Sequence, residues 1–107
     1  MKIELTEKQI QDIILEYLNI SGHFCWRNNT GVMTATDKYG KQRMWRAGVK
    51  GSADILGIAK DGKMIAIECK RKGKKATAEQ LFFLDAIKYR GGYAIVATSL
   101  DEVQKIL

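Results

Sequence analysis

Three residues with ionisable side chains stand out because they lie at the ends of two short apolar runs. Asp54 lies near the start of the first run, 53–59, and Glu68 and Lys70 close the second, which begins at Met64. Side chains alternate between the faces of a strand, so Glu68 and Lys70 point to the same side. A carboxylate at the end of an apolar strand is costly to bury without a purpose. Together with Asp54 on the neighbouring strand, it supplies the oxygen ligands that a divalent cation prefers.

The link between the two runs decides whether the acids can meet. Asp61-Gly62 between β-prone runs predicts a hairpin. A regular two-residue turn there would place Cys69, and not Glu68, opposite Asp54, so the two acids would lie on opposite faces of the sheet. A shared cation therefore requires a three- or five-residue loop, a β-bulge, or an Asp54 that lies just before regular pairing begins. The sequence leaves these alternatives open.

The order of these motifs resembles the VRR-NUC branch of the PD-(D/E)XK nuclease superfamily. The resemblance runs from about Thr6 to Leu100 and includes two departures, Ala53 where the motif has proline and no Val-Arg-Arg string. It implies a restriction-endonuclease-like core and a metal-dependent DNA endonuclease acting on structured DNA, such as a junction or flap, in one domain of residues 1–107. The matching segments are Gly51-Ser52-Ala53-Asp54-Ile55-Leu56, Glu68-Cys69-Lys70, Thr77-x-x-Gln80 and Gly91-Gly92.

The resemblance also implies roles for individual residues. Asp54 and Glu68 are expected to bind Mg²⁺ or Mn²⁺, with Glu7 bound directly or through water and the Cys69 carbonyl as a further ligand. Lys70 is expected to orient the attacking water or to stabilise the negative charge that develops on the phosphate. Its ammonium group beside two carboxylates should stay protonated.

The first helix supplies the Glu7 candidate. Thr6 and Gln9 predict a capping box at its start. The helical wheel places Glu7 at the edge of the apolar stripe and Glu16 on the solvent side, which favours Glu7 as a ligand; the alternative is a favourable charge at the helix N-terminus. The apolar face predicted for this helix consists of Ile10, Ile13, Ile14, Tyr17 and Leu18.

Other polar residues have plain structural interpretations. Gln80 is either the second half of a capping box with Thr77 or, as the resemblance implies, a neighbour of the catalytic strand. His23 is expected to be a surface residue at the start of a strand rather than a ligand. Cys25 and Cys69 form no metal-binding or disulfide pattern and are expected to be small buried hydrophobes.

The charge of the chain favours a polyanionic partner. Eighteen Lys and Arg against twelve Asp and Glu give a net charge of +6, which is consistent with DNA in either structured or duplex form. Trp45 lies on a predicted polar hairpin arm, which either stacks on a base or packs on the body or on a second subunit. The basic loop after Lys70 either contacts DNA or is a solvated charge run. The candidate DNA contacts are Arg46, Lys50, Arg71, Lys72, Lys74, Lys75 and Trp45.

The coarse order α-β-β-β-α-β-α, with the arm after the first strand, predicts an α/β fold with a central mixed sheet flanked by helices. Within it, 93–98 is predicted as a strand and 99–107 as a capped helix. No apolar run suits a membrane span and no signal-peptide pattern is present, so a cytoplasmic protein is expected. Cutting both strands of a symmetric junction takes two sites, which predicts a homodimer. The alternative function is a non-catalytic nucleic-acid-binding module whose acids form only surface salt bridges.

Overall fold

The structure of this protein, a computed structural model, describes residues 3–29 and 31–107, and the side chains of 31–33, 46 and 47 lie outside that description. The element order predicted from the sequence is confirmed. In chain order the elements are α1 (Glu7–Ile20), β1 (Phe24–Arg27), β2 (Gly31–Thr36), β3 (Gln42–Ala47), β4 (Ile55–Ile58), β5 (Met64–Cys69), α2 (Ala78–Tyr89), β6 (Tyr93–Ala97) and α3 (Leu100–Gln104).

The central sheet has four strands in the order β1-β4-β5-β6. The pairs β1–β4 and β4–β5 are antiparallel, whereas β5 and β6 are parallel. The sheet is therefore mixed, as predicted. The strands β2 and β3 form a separate two-stranded arm.

Helices cover both faces of the sheet, and each face has its own apolar cluster. On one face α1 packs against β1 and β5, and α3 packs against α1 and β6. On the other face α2 packs against β5 and β6. Because strand side chains alternate, Ile65 and Ile67 belong to the α1 cluster while Ala66 belongs to the α2 cluster with Leu84.

The start of α1 is the predicted capping box. Thr6 Oγ1 accepts a hydrogen bond from the Gln9 backbone at 3.1 Å, and Gln9 Oε1 accepts one from the Thr6 backbone at 2.9 Å. Ile10, Ile14 and Leu18 are buried. The predicted position of Ile13 on the buried face is wrong, because its side chain is 39% exposed at the edge of the stripe.

The end of the chain differs from the prediction. The helix α3 stops at Gln104 rather than reaching Leu107, and Ser99 at its N-cap makes no side-chain capping bond. Glu102 instead reaches back past Ser99, and its Oε1 accepts hydrogen bonds from the backbone and the hydroxyl of Thr98, at 3.0 and 2.5 Å. The carboxylate thus satisfies groups in front of a short helix, which the capping pattern alone did not predict.

The β4–β5 hairpin closes through a loop of residues 60–62. The Ala59 backbone N–H donates to the Lys63 carbonyl at 2.8 Å, and the Gly62 N–H donates to the Ala59 carbonyl at 2.8 Å. Gly62 has φ +88°, a left-handed conformation that glycine adopts without strain. This is the three-residue loop among the alternatives open from the sequence, and it pairs Ile55 with Ile67.

The predicted surface position of His23 is wrong. The residue is only 8% exposed, and its Nδ1 accepts a hydrogen bond from the Lys60 backbone at 3.1 Å. The ring therefore holds the hairpin loop against the start of β1. Cys25 and Cys69 are both buried, as predicted. None of the helices in the described part of the chain is both long and apolar enough to cross a membrane.

Candidate active site

The two acids singled out from the sequence meet at one end of the β4–β5 hairpin. Asp54 directly precedes β4, and continuing the Ile55–Ile67 register by one residue places it opposite Glu68. Its Oδ2 accepts a hydrogen bond from the Cys69 backbone at 2.8 Å. Directly opposed residues share a face of the sheet, so both carboxylates lie on the side that α2 covers.

The carboxylate of Glu68 is held on one oxygen only. Its side chain lies almost wholly inside the protein, with 3% of the residue exposed. Oε1 accepts a hydrogen bond from Gln80 Nε2 at 2.9 Å and lies 3.7 Å from Lys70 Nζ. Oε2 is buried and has no hydrogen-bond partner among the residues that the structure describes. A buried carboxylate oxygen without a partner is costly, and it is available to a cation.

Gln80 serves both of the interpretations that the sequence left open. Its side-chain Oε1 accepts a hydrogen bond from the Thr77 backbone N–H at 2.8 Å. The Gln80 backbone N–H donates to Thr77 Oγ1 at 3.2 Å, which completes the capping box of α2. Because the amide oxygen is used in the cap, the amide nitrogen points to Glu68. The start of α2 therefore orients the carboxylate.

The electrostatics of the site reflect two close carboxylates. Burial first, and then the negative charge of Asp54, raise the pKa of Glu68 to about 8, while the positive charge of Lys70 offsets part of the rise. Burial and then the negative charges of Asp54, Glu68 and Glu7 also raise the pKa of the Cys69 thiol far above its usual range. The part of both shifts that comes from the neighbouring carboxylates favours a positive charge at this point of the structure.

The donor set fits a hard divalent cation only in part. Asp54 and the free oxygen of Glu68 are hard oxygen donors on one face, as Mg²⁺ and Mn²⁺ prefer. Glu7 is half-buried in the first turn of α1, near enough for its charge to act on Cys69. Among the described residues, however, no group of three His, Cys, Asp or Glu side chains is arranged to hold a metal ion. Direct ligation by Glu7 is thus not seen, and a water-bridged contact is the remaining form of that prediction.

Asn28 holds the acid-bearing loop in place, and sequence reasoning missed it. Its backbone N–H donates to the Asp54 carbonyl at 2.7 Å. Its side-chain amide donates to Ser52 Oγ at 2.7 Å and to the Ala53 carbonyl at 3.0 Å. No local motif singles out Asn28, and only the pairing of β1 with β4 brings it to Asp54.

The glycine-rich lead-in to Asp54 packs on the protein rather than opening towards a ligand. Gly51 has φ +77°, and a Cβ there would lie 2.7 Å from the Glu79 carbonyl oxygen. Lys50 Nζ lies 2.9 Å from Glu79 Oε1, with both side chains more than half exposed. The backbone at Gly51 therefore approaches the first turn of α2 closely.

Those predicted DNA-contact residues whose side chains the structure describes are exposed. The loop after Lys70 exposes its basic residues, and Trp45 on β3 is 51% exposed. The side chain of Arg46 lies outside the described residues. Arg71 and Lys72 line a cavity of about 180 Å³ together with the N-terminal residues 3–5. The exposed basic residues of the loop are Arg71, Lys72, Lys74 and Lys75.

Comparison with known proteins bears on this architecture. No family model and no curated protein sequence matches the chain. A search of solved structures finds a chain described as "VRR_NUC domain", with a TM-score of 0.64 and 20% sequence identity, covering 94% of this chain and 92% of that one. The chain has the VRR_NUC fold. The predicted fold, a restriction-endonuclease-like core with a central mixed sheet, is confirmed.

The hydrogen bonds of Asn28 predict that this residue contributes to the free energy of unfolding. Asn28→Ala should lower the free energy of unfolding by about 1–3 kcal/mol, because it removes two side-chain bonds to the loop that carries Asp54. Denaturant unfolding measures the change. Asn29→Ala is the matched control, since its side chain is exposed, and it should stay within about 0.5 kcal/mol of wild type. Equal effects of the two substitutions would contradict the role assigned to Asn28.

The raised pKa of Glu68 generates a pH prediction for the metal-free protein. Since the pKa is higher in the folded chain than its ordinary value of 4.5, the folded state keeps a proton that the unfolded chain has lost. This contribution to stability is complete below about pH 4.5 and is lost as pH rises to about 8. Unfolding in chelator at several pH values should therefore show wild type losing stability relative to Glu68→Gln over that window. A difference that does not change with pH would contradict the prediction.

Proposed function

We propose that this chain is a divalent-metal-dependent DNA endonuclease of the VRR-NUC family. The observation that carries the proposal is the buried Glu68 carboxylate, whose Oε2 lacks a partner on the face that it shares with Asp54. The alternative of a binding module with surface salt bridges fits less well, because Glu68 is only 3% exposed and its nearest cation, Lys70, is only 15% exposed in its side chain. An acid as buried as Glu68 serves no purpose in neutralising a surface.

Each residue of the site would have a separate role in phosphodiester hydrolysis. Asp54 and Glu68 Oε2 would hold Mg²⁺ or Mn²⁺, with the Cys69 carbonyl and a water-bridged Glu7 completing the shell. When bound, such a cation supplies charge neutralisation at the phosphate and an activated water. Gln80 keeps Glu68 in one orientation, with the unpartnered oxygen turned away from the amide. Lys70 sits beside the acids, where its positive charge stabilises the charge that develops on the phosphate.

The basic surface beside the acids would bind the DNA backbone. The loop after Lys70 starts directly at the end of β5. Its exposed basic side chains are therefore within reach of DNA whose phosphate lies at the acids. Lys50 adds a phosphate contact if it exchanges its exposed ion pair with Glu79, which is worth little in water. Arg46 and Trp45 on the arm would extend the footprint. Structured DNA, such as a junction or a flap, is the proposed substrate, and the homodimer stays a prediction.

Replacement of the three central residues tests the nuclease proposal. Asp54→Asn, Glu68→Gln and Lys70→Ala should each lower the cleavage rate by about 10²–10³ or more, since each removes a cation ligand or a transition-state charge. Rates are measured on labelled junction, flap and duplex DNA with Mg²⁺ or Mn²⁺. Asp85→Asn, an exposed acid on α2, is the matched control and should cleave like wild type.

Calorimetry of the same variants separates the nuclease from the binding module. Wild type should bind Mn²⁺ at millimolar concentration or below, and Asp54→Asn should not, while both should bind DNA in the absence of metal. If wild type binds no divalent cation yet still binds DNA, the module is the correct interpretation. Wild-type turnover in any of the three substituted proteins would refute the site assignment.

Glu7 and Glu16 offer a second test, on α1 alone. Glu7 is half-buried in the first turn, whereas Glu16 is exposed nearer the end of the helix. Glu7→Gln should reduce cleavage about tenfold or more, because it removes a carboxylate from the surroundings of the cation, and Glu16→Gln should be nearly neutral. Steady-state cleavage over a range of Mg²⁺ concentrations distinguishes them: the Glu7→Gln protein should recover partly as Mg²⁺ increases. If Glu16 is the sensitive position, the assignment of Glu7 is wrong.

A further inference from the structure

The face of the sheet that carries the acids is covered over only half its width. The helix α2 packs against β5 and β6. On the other half, formed by β1 and β4, apolar side chains remain exposed: Phe24 is 68% exposed, Trp26 41% and Ile58 46%. Two aromatic rings and an isoleucine therefore form an open apolar strip, which we call the β1 platform.

The register of β1 places this platform beside the acids. Phe24 pairs with Ile58, and Trp26 pairs with Leu56, whose side chain packs into the α2 cluster. Cys25, between the two aromatic residues, packs into the opposite cluster under α1. Alternation along the strands then puts both rings on the face that carries Asp54 and Glu68.

The spacing from the acids suits a neighbouring nucleotide. Trp26 is opposite Leu56, which is two residues from Asp54, so the two residues are offset by about 7 Å along the strands and about 5 Å across them. The ring centroids of Phe24 and Trp26 are 5.6 Å apart, with the planes tilted by 54°. An exposed indole at this distance presents a ring to a base attached to the next sugar along a bound strand.

Two properties favour a nucleic acid over other occupants of the platform, and the geometry of stacking then limits which bases can bind. The patch is continuous with the acid pair, so a nucleic acid held there passes over it. The chain has a net charge of +6, which favours a polyanionic partner. Stacking on an aromatic side chain needs a base whose face is free, which excludes a base inside an intact duplex.

We infer that Trp26, assisted by Phe24, stacks on an unpaired base adjacent to the phosphate at Asp54 and Glu68. This inference deepens the proposed function and rests on it, because it names the substrate class: DNA with an unpaired or splayed nucleotide next to the cleavage point. The platform positions the substrate and takes no part in the chemistry.

Equilibrium binding in chelator tests the inference without using cleavage. The probes are a fluorescently labelled short oligothymidylate and a blunt duplex of the same length. Trp26→Ala should weaken oligothymidylate binding about five- to a hundredfold, the range of one lost stacking interaction, and should change duplex binding by less than about twofold. Trp26→Phe should keep most of the affinity. Tyr89→Ala removes an aromatic residue that is 89% exposed at the far end of α2, and serves as the matched control.

Tryptophan fluorescence gives a second readout that does not depend on a truncated variant. The emission of Trp26, taken as the difference between wild type and Trp26→Phe with Trp45 present in both proteins, should be quenched on adding unlabelled oligothymidylate. If Trp26→Ala lowers the melting temperature and its binding is uninterpretable, this quenching and the exposed-site variant Phe24→Ala decide the question. No quenching together with unchanged binding by Phe24→Ala overturns the inference.

The remaining outcomes separate the platform from the nuclease proposal. If wild type binds and cleaves DNA but Trp26→Ala weakens both probes equally or neither, the platform alone is refuted. If Trp26→Ala weakens binding of the oligothymidylate but not of the duplex, and no DNA is cleaved with Mg²⁺ or Mn²⁺, the base-stacking site is supported and the nuclease proposal fails. If sedimentation shows that Trp26→Ala dissociates a dimer while DNA affinity is unchanged, the platform is a contact between copies of the chain, and the inference is overturned.

Discussion

The pairing register of β4 with β5 is the constraint on which the rest of this structure depends. Side chains alternate across a sheet, so a shift of one residue would move Asp54 to the face opposite Glu68. The loop 60–62, with Gly62 in a left-handed conformation, sets the register that prevents this. The same register turns Ile55 and Ile67 into the α1 cluster. The packing of the core and the position of the two acids therefore both require the same register of β4 with β5. A change in that register would alter both.

Burial of Glu68 imposes a second constraint, which the start of α2 satisfies. A buried carboxylate needs hydrogen-bond donors or a cation, and each unsatisfied oxygen is costly. Gln80 meets half of this need while it also closes the capping box with Thr77. The other half, at Oε2, is met by nothing in the described part of the chain. The fold thus stabilises the charged group on one side only, which is the arrangement expected of a ligand held ready for a metal ion.

Local patterns predicted much of the fold, and long-range contacts account for what they missed. The capping box at Thr6, the hairpin at Asp61-Gly62 and the arm are all encoded within a few residues, so the sequence predicted them. The capping box at Thr77 was one of the two alternatives that the sequence left open for Gln80. The burial of His23 depends on the Lys60 backbone, which is distant in sequence.

The same reason applies to the site. Asp54, Glu68 and Lys70 were identified because a motif places them at strand ends. The sequence could narrow their register to a few loop geometries but could not choose among them. Asn28 carries no motif, and its value arises only from the pairing of β1 with β4, which brings its amide to Ala53 and Ser52. A residue that positions another through contacts distant in sequence can be identified from a structure but not from a single sequence.

The uneven cover of the sheet links these points to function. The acids lie at the boundary between the half of the face that α2 covers and the half that stays open. On the covered side, Glu68 is desolvated, which strengthens its interaction with any nearby cation. On the open side, Asp54 is partly exposed, and the exposed rings of β1 lie on the same face of the sheet. A site wholly under α2 could not admit a polymer, and one wholly in the open could not raise the pKa of a carboxylate to about 8. Because the boundary provides both conditions, the proposed nuclease site depends on the position of α2 as well as on the acids.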